Sequence, residues 1–343
     1  MSSELISVVV PSYRRPALLA EALASVFGQD YRPLEVLVMD DSPDETVEQA
    51  VEALEPPAGV TVRYFRNRPS LGQAGNVNRG FATASGQRLV LLHDDDALLP
   101  GAITTLAEAY DAETGVVIAY GQQRVLQPDG TDAGDELAKR CGRMFARTPD
   151  RAGRQADSAS AALLRQLPNN GYLVDTVAAR SVGYLPPEDV GHACDMDFGI
   201  RLALRNPGNT FLFVPRYTSA VRVTPGSVSR GGEAGSRFTY ERVAALDLPL
   251  EAEKARRHAL RVAAPMALRE YLHHGRPGEA RRVWTGRAYG WWNRLRPRGW
   301  FHIAACFVPG LHGLASPLVE RTRPWRRRVR LKTRQAIGLE VAE

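Results

Sequence analysis

Three consecutive carboxylates, Asp94, Asp95 and Asp96, follow a short apolar run and are the residues of this sequence best suited to chemistry. Adjacent carboxylates repel one another, so they stay ionised only where a cation or strong hydrogen-bond donors lie close by. Carboxylate oxygens are the ligands that hard divalent cations such as Mg²⁺ and Mn²⁺ prefer. The cluster therefore predicts a metal site, and a solvated acidic turn that caps the next helix is the alternative.

The spacing of the cluster leaves more than one ligand set open. In an extended segment Asp94 and Asp96 would point to one side, and Asp95 would point to the other side together with His93. Either pair could line the metal site, so all three aspartates are candidate ligands. We favour Asp95 and Asp96.

The first 120 residues alternate between apolar, strand-sized runs and segments with helical spacing. The predicted strands are residues 5–10, 34–39, 60–65, 88–92 and 116–120. Such alternation predicts an α/β fold with a mostly parallel sheet and helices on both faces. Residues 127–170 show little periodicity and are interpreted as an excursion. Further predictions are a strand over 172–179, a helix over 192–205 and a strand over 211–214.

Polar residues follow each of the first four predicted strands, at 11–15, 40–42, 66–68 and 93–96. Ligands of parallel sheets bind at the carboxyl ends of the strands. Because those ends meet at one edge, we expect the four polar clusters to converge on a single site.

Two segments carry a family resemblance: VVVPSYRRPALLAEALASVFGQDYRPLEVLVMDDSPDE and NRPSLGQAGNVNRGFATASGQRLVLLHDDDALLPGAI. They resemble the family 2 glycosyltransferases of GT-A fold, closely over residues 5–120 and loosely over 165–230. The resemblance implies an inverting enzyme of hexosyltransferase type with a Rossmann-like sheet. It would transfer a sugar from a nucleotide-diphosphate donor, expected to be a UDP-sugar, to an acceptor hydroxyl, with Mg²⁺ or Mn²⁺ as cofactor.

The same resemblance implies the residues of the donor site. In family terms the acidic motif reads H-D-D-D where D-x-D-D is commoner, which makes Asp95 the usual metal ligand and turns Asp94 toward the donor sugar. Asp41, or Asp40, would accept a hydrogen bond from the base or ribose. The full set of donor-site candidates is Pro11, Ser12, Tyr13, Arg15, Asp40, Asp41, Asn67, Asn78, Asp94 and Arg222.

Asp195 is the general base that the resemblance implies. It lies where the family has a Glu-Asp pair at the start of a late helix, with Cys194 in place of the glutamate. Asp195 and Asp197 are two residues apart and do not share a helix face, so one can meet the acceptor while the other packs. The alternative is that both only favour the helix N-terminus through its dipole. A single base without a second nucleophile implies inversion.

A later element of the family, R-x-H, reads Arg222-Val223-Thr224 here, so its histidine is absent. Arg222 and Arg230 could still neutralise the charge of the leaving diphosphate. The glycine-rich stretch 230–235 is interpreted as a lid or as an ordinary surface loop.

Charge is segregated along the chain. Residues 254–334 contain 20 Lys/Arg and 3 Asp/Glu, a balance of +17, although the whole chain carries only +6 and the remainder is therefore −11. Arginines interleaved with tryptophans are typical of a helix on a membrane surface. We predict contact with an anionic membrane; packing on the catalytic domain is the alternative. Nucleic acid is an unlikely partner because no nucleic-acid-binding motif accompanies these residues.

The predicted domains are a GT-A domain over 1–245, with a nucleotide-sugar half (1–125) and an acceptor half (126–245), and a basic helical region over 246–343. Three widely spaced cysteines support neither disulfides nor a zinc site. With no signal-peptide pattern at the N-terminus, we expect a cytoplasmic protein at the inner face of the plasma membrane. A lipid-linked glycan of the cell envelope is the expected acceptor.

Two other functions stay open at this point. A sugar nucleotidyltransferase also uses acidic metal ligands, but its opening loop is glycine-rich, whereas PSYRRP contains no glycine. A non-catalytic nucleotide-sugar-binding module is the second alternative, because the departures at Cys194 and Thr224 fall at catalytic-side positions.

Overall fold

A computed structural model describes residues 4–191, 193–224, 235–308 and 311. The chain divides into two compact units. The first consists of Met1–Asp189 and Cys194–Pro225, and the second of Val190–Ala193 and Gly226–Glu343. The first unit is α/β and the second is helical.

The first unit is built on one nine-stranded sheet, with strand order β3-β2-β1-β4-β8-β6-β9-β5 and β7 paired to β9. The strands are β1 Ile6–Ser12, β2 Leu34–Asp40, β3 Val60–Arg66, β4 Arg88–Leu91, β5 Ala97–Leu98, β6 Val116–Leu126, β7 Gly153–Arg154, β8 Tyr172–Asp175 and β9 Thr210–Arg222. Strands β1 to β4 are parallel. Beyond them the sheet is mixed, because β8 runs antiparallel to both β4 and β6.

Helices cover this sheet, as the alternating pattern predicts. Those up to Arg205 are α1 Pro16–Phe27, α2 Thr46–Glu52, α3 Gly72–Thr83, α4 Ala102–Asp111, α5 Asp135–Met144, α6 Ser158–Leu163, α7 Thr176–Val182, α8 Pro187–Val190 and α9 Cys194–Arg205. Helix α1 begins with proline at a position where no backbone donor is needed. Its Leu19, Leu23 and Val26 are fully buried and form one apolar stripe against the sheet.

Three expectations differ from the structure. The supposed excursion over 127–170 contains helices α5 and α6. The predicted strand over 172–179 ends at Asp175, because that carboxylate accepts a hydrogen bond from the amide of Ala178 and caps α7. The last strand does not stop at residue 214; it continues to Arg222, because β9 pairs with β6 along its length.

The second unit is a small helical assembly. Its helices are α10 Ser236–Ala245, α11 Glu253–His273, α12 Pro277–Thr285, α13 Trp291–Leu295 and α14 Pro297–Ala305. Leu268, Tyr271, Val283 and Tyr289 lie in its core. This confirms a helical C-terminal region. In the part of the chain that the structure describes, no helix is both long enough and apolar enough to cross a membrane.

Candidate active site

Residues 93–96, here called the acidic turn, connect β4 to β5. The amide of Asp96 donates to the carbonyl oxygen of His93 at 3.2 Å, which closes a tight turn. The turn brings His93 Nδ1 to 3.7 Å from Asp96 Oδ2. The alternation of side chains expected for an extended segment does not hold here, because it requires an extended backbone.

Three side chains of the acidic turn, His93, Asp95 and Asp96, offer ligand atoms that all lie within 4.8 Å of one another. Burial raises the pKa of Asp96 to about 7, opposed by His93 and reinforced by the carboxylate of Asp95. A buried carboxylate beside a second one is costly unless a cation compensates it. The three residues therefore fit a divalent cation.

Asp94 faces away from this group. Its Oδ2 accepts hydrogen bonds from Ser12 Oγ at 3.0 Å and from the amide of Tyr13 at 3.2 Å. Arg15 Nη1 lies 3.5 Å from Asp94 Oδ1 and 2.8 Å from Asp95 Oδ2. Asp94, predicted as a donor contact and as a metal ligand, thus ties the acidic turn to the loop after β1. That loop leaves the ring of Tyr13 exposed.

The expected convergence of polar strand ends is present, but the acids after β2 are already engaged. Asp40 is fully buried, accepting from the amide of Ser42 at 2.9 Å and from the hydroxyl of Tyr64 at 2.6 Å. The carboxylate of Asp40 is therefore bound inside the protein, at the edge of the sheet. Pro11, at the end of β1, lies beside Met39 of β2.

Asp41 accepts four hydrogen bonds, which saturate its carboxylate. The donors are Asn67 Nδ2 at 2.9 Å, Ser70 Oγ at 2.6 Å, and the amides of Leu71 and Gly72 at 2.8 Å each. The carboxylate thus holds the start of α3. A contact with a base or ribose, as expected from the sequence, would require one of these bonds to be exchanged.

The two predicted asparagines also bond within the protein. Asn67 donates to the side chain of Asn76 at 2.7 Å as well as to Asp41. Asn78 pairs with the backbone of Tyr184, donating to its carbonyl at 2.9 Å and accepting from its amide at 2.7 Å. Asn78 therefore acts by positioning Tyr184.

Arg222 holds the acidic turn in place. Its amide donates to Asp96 Oδ1 at 2.8 Å and its Nε to the carbonyl of Asp95 at 3.1 Å. The rest of its guanidinium bonds to the carbonyl of Pro128 and the carboxylate of Glu21, and its side chain is only 5% exposed. Because β9 carries Arg222 alongside the turn and these bonds use its donors, the predicted contact with a diphosphate would require some of them to be exchanged.

Two asparagines that the sequence reasoning missed lie against the acidic turn. Asn170 Nδ2 donates to Asp96 Oδ2, and both Asn169 Nδ2 and Asn170 Nδ2 lie 3.4 Å from His93 Nδ1. They precede β8, and the Asn-Asn-Gly run before a strand was the available signal. Their amides help to orient the ring of His93.

Thr224 is another contact that the sequence reasoning missed, since only the absent histidine was noted there. Its hydroxyl donates to Asp95 Oδ2 at 3.1 Å. A neutral hydroxyl thus reaches the acidic turn from this position. Arg230 and the stretch 230–234 lie outside the described residues, as do His192 and residues 312–343.

Asp195 lies in the first turn of α9. The hydroxyl of Tyr184 donates to its Oδ1 at 3.1 Å. Burial raises the pKa of Asp195, and the charges of His93 and Arg165 oppose that rise. The charge of His93 acts on both Asp195 and Asp96, so the carboxyl of Asp195 lies within electrostatic range of the acidic turn.

Asp197, two residues further on, has a different environment. It pairs with Arg201 Nε at 2.6 Å, and the guanidinium of Arg201 donates to the carbonyls of Val182 and Gly183. This network joins α9 to the end of α7. Asp197 therefore packs, whereas Asp195 lies within electrostatic range of His93.

Acidic and polar side chains thus gather at the carboxyl edge of the parallel strands, which is where α/β enzymes bind their ligands. Residues 7–158 match the family described as Glycosyl transferase family 2, and the chain carries a glycosyltransferase domain of that family. This confirms the resemblance read from the two N-terminal segments.

Named relatives agree with this assignment. The GalNAc(5)-diNAcBac-PP-undecaprenol beta-1,3-glucosyltransferase of Campylobacter jejuni is 38% identical over 117 residues, 34% of this chain and 37% of that protein. The succinoglycan biosynthesis protein ExoO of Rhizobium meliloti is 29% identical over 125 residues, 36% of this chain and 35% of that protein. The chain thus spans little more than a third of the length of these relatives.

Solved structures establish the fold. Residues 1–349 of Staphylococcus aureus TarS in complex with UDP-GlcNAc align with a TM-score of 0.54 at 15% identity, covering 88% of this chain and 79% of that one. The mannosyltransferase PcManGT of Pyrobaculum calidifontis, in complex with GDP-Man and Mn²⁺, aligns with a TM-score of 0.53 at 18% identity, covering 90% and 86%. The fold is GT-A-like, as expected.

Proposed function

We propose that the protein is an inverting glycosyltransferase that moves a sugar from a nucleotide diphosphate to a hydroxyl of a glycan or glycolipid acceptor. One observation carries the proposal. His93, Asp95 and Asp96 form a divalent-cation ligand group at the carboxyl end of β4, and the buried carboxyl of Asp195 lies within electrostatic range of His93. Sugar transfer needs a base for the acceptor and positive charge for the leaving diphosphate.

His93, Asp95 and Asp96 would hold the metal ion. A bound Mn²⁺ or Mg²⁺ supplies positive charge that stabilises the diphosphate as it leaves. An imidazole among the ligands suits Mn²⁺ better than Mg²⁺, which takes oxygen ligands, and a structural neighbour was solved with GDP-Man and Mn²⁺. The partly exposed Arg15, beside Asp95, is the side chain best placed to add a second positive charge.

Asp195 would remove the proton of the acceptor hydroxyl. Tyr184 donates to Oδ1 and so holds the carboxylate in one orientation, which assigns Oδ2 to the acceptor. Burial strengthens Asp195 as a base by raising its pKa. The neighbouring Cys194 is unsuited to act as a nucleophile, because burial raises the pKa of its thiol and keeps it protonated. One base without a second nucleophile gives inversion at the anomeric carbon.

A screen of nucleotide sugars by thermal shift, with and without Mn²⁺, tests this function. A donor at a hundred times its Kd is expected to stabilise the protein by about 2.7 kcal/mol, which is a shift of several degrees. UDP-GlcNAc and GDP-mannose, the ligands of the structural neighbours, are the first to try. A stabilising donor should also be hydrolysed slowly; binding without release of nucleotide would indicate a binding module instead.

Exposed aromatic side chains of the second unit support the membrane contact that we propose from the charge pattern. Trp291, Trp292, Trp300 and Phe307 are exposed on and after its last two helices. Large aromatic side chains among arginines suit the interface of an anionic bilayer. The undecaprenol in the name of the Campylobacter relative supports a lipid-linked acceptor.

Flotation with liposomes that contain anionic lipid is expected to carry the full-length protein at low salt and to carry less of it as salt rises. The double variant Trp291→Ser, Trp292→Ser should float less, because it loses two interfacial anchors. Val177→Ser, which removes an exposed apolar side chain of the first unit, is the control and should float normally. Absence of flotation at low salt would remove the membrane contact.

A further inference from the structure

Two arginines without a role in the proposed chemistry follow the C-terminal ends of α5 and α6. After α5, the amide of Arg147 bonds to the carbonyl of Gly142 at 2.8 Å, with Ala146 between them at a φ of 54°. After α6, Arg165 itself has a φ of 58°. Helices usually place glycine at this left-handed position. Arg165 occupies this position although glycine would fit it with less strain, which indicates that the arginine side chain has a function.

The two helix ends are joined. The side chain of Gln166 is buried and donates to the carbonyl of Ala146 at 3.0 Å. As a result, the guanidinium carbons of Arg147 and Arg165 lie 5.1 Å and 5.4 Å from the ring centre of Phe145. Two positive charges are therefore held against one aromatic ring.

Arg147 is a buried cation, with 6% of its surface exposed. Its Nη1 donates to Gln123 Oε1 at 2.6 Å, and its buried Nε has no hydrogen-bond partner. Among the described residues no carboxylate forms an ion pair with it. Burial, with a smaller contribution from the charge of Arg165, lowers the pKa of Arg147 to about 10. A desolvated guanidinium in this state attracts an anion.

The pair is linked to the candidate active site by a chain of side chains. Gln123 Nε2 lies 3.4 Å from Asn169 Oδ1, and Asn169 contacts His93. The charge of Arg165 also acts on Asp195, the proposed base. Arg147 is thus joined to the acidic turn through Gln123 and Asn169, and a group bound at the two arginines would lie within electrostatic range of Asp195.

We propose that Arg147 and Arg165 form a binding subsite for an oxyanion, a phosphate or a carboxylate, that the acceptor carries. The guanidinium fork matches the geometry of both groups. Arg147 would supply the buried, fixed half of the subsite, and the exposed Arg165 the half that admits the ligand. The assignment to the acceptor rests on the proposed function, whereas the oxyanion site itself does not.

Isothermal titration of the full-length protein in EDTA, with inorganic phosphate and with acetate, tests the subsite. EDTA keeps the acidic turn free of metal, so that anions have no reason to bind there. Replacement Arg165→Gln is expected to weaken binding by about tenfold, because one charge-assisted contact is lost. Arg147→Met should do at least the same. The stronger of the two probes identifies the class of anion.

Arg143→Gln is the matched control, since Arg143 is an exposed arginine of α5, and it should bind as the natural protein does. Equal affinity for both probes in the natural protein, Arg165→Gln and Arg147→Met would overturn the proposal. If Arg147→Met does not fold, as circular dichroism would reveal, Arg165→Gln decides alone. Anion binding needs no donor, so failure here is distinct from a failure of nucleotide-sugar hydrolysis, which bears only on the proposed function.

Discussion

Replacing Asp195 with asparagine is expected to lower kcat for sugar transfer by about a hundredfold to ten-thousandfold, the usual contribution of a general base. The amide keeps the shape of the side chain and can still accept the hydrogen bond from Tyr184, but it cannot take a proton. Donor affinity should persist, because the donor contacts that we propose lie at the acidic turn and the loop after β1. Initial rates with the donor found in the thermal-shift screen measure the effect.

The pH profile adds a second readout for Asp195. A base works only when deprotonated, so kcat should fall as pH drops through the raised pKa of this carboxyl. The acidic limb should disappear from the residual activity of Asp195→Asn. Full turnover in that variant, or an unchanged acidic limb, would contradict the assignment.

Asp197→Asn, two residues further along α9, is the matched control. It weakens the pair with Arg201 and its link to the end of α7, so its thermal midpoint should fall. Because Asp197 is committed to this packing, kcat should stay within a few-fold of the natural value. The contrast separates loss of a base from damage to α9.

The first half of the fold was predictable because its structure is local. Strands of a parallel sheet that are buried on both faces read as continuous apolar runs, as in Val8, Val9 and Val10. The carboxyl ends of such strands meet by construction. The convergence of Ser12, Arg15 and the acidic turn therefore follows from the order of the elements.

The second half depends on pairing between distant segments. Asn170 reaches Asp96 only because β8 inserts between β4 and β6, and Thr224 reaches Asp95 only because β9 runs past β5. Neither strand register can be read from a single sequence. The polar residues that they deliver to the acidic turn were missed for that reason.

Residue type also did not indicate whether a polar side chain has hydrogen-bonding groups left to bind a ligand. Asp41 and Arg222 have the right chemistry for a nucleotide and lie at the right edge. Yet four donors saturate Asp41, and the guanidinium of Arg222 is spread over Asp95, Pro128 and Glu21. These partners are distant in the sequence. The sequence therefore predicts where the site lies, but not which of its polar side chains are already hydrogen-bonded within the protein.

Replacing Asp95 and Asp96 together with asparagine is expected to abolish metal-dependent donor binding, because two of the three clustered ligands lose their charge. The thermal shift produced by the donor with Mn²⁺ should fall to the value measured in EDTA. Asp150→Asn, at an exposed position, should leave that shift intact. If nucleotide-sugar affinity in the natural protein is the same with and without chelator, the metal assignment is wrong.

The stability of the metal-free protein should report on the same residue. Folding raises the pKa of Asp96 from 3.8 to about 7, so the folded state holds a proton that the unfolded state releases. Stability is then greatest below pH 4 for this group and falls as pH rises to about 7, by roughly 4 kcal/mol at most. Mn²⁺ requires the ionised carboxylate, so its stabilising effect should grow over the same interval. In Asp96→Asn this pH dependence should be lost, and thermal midpoints measured across it with and without Mn²⁺ test the linkage.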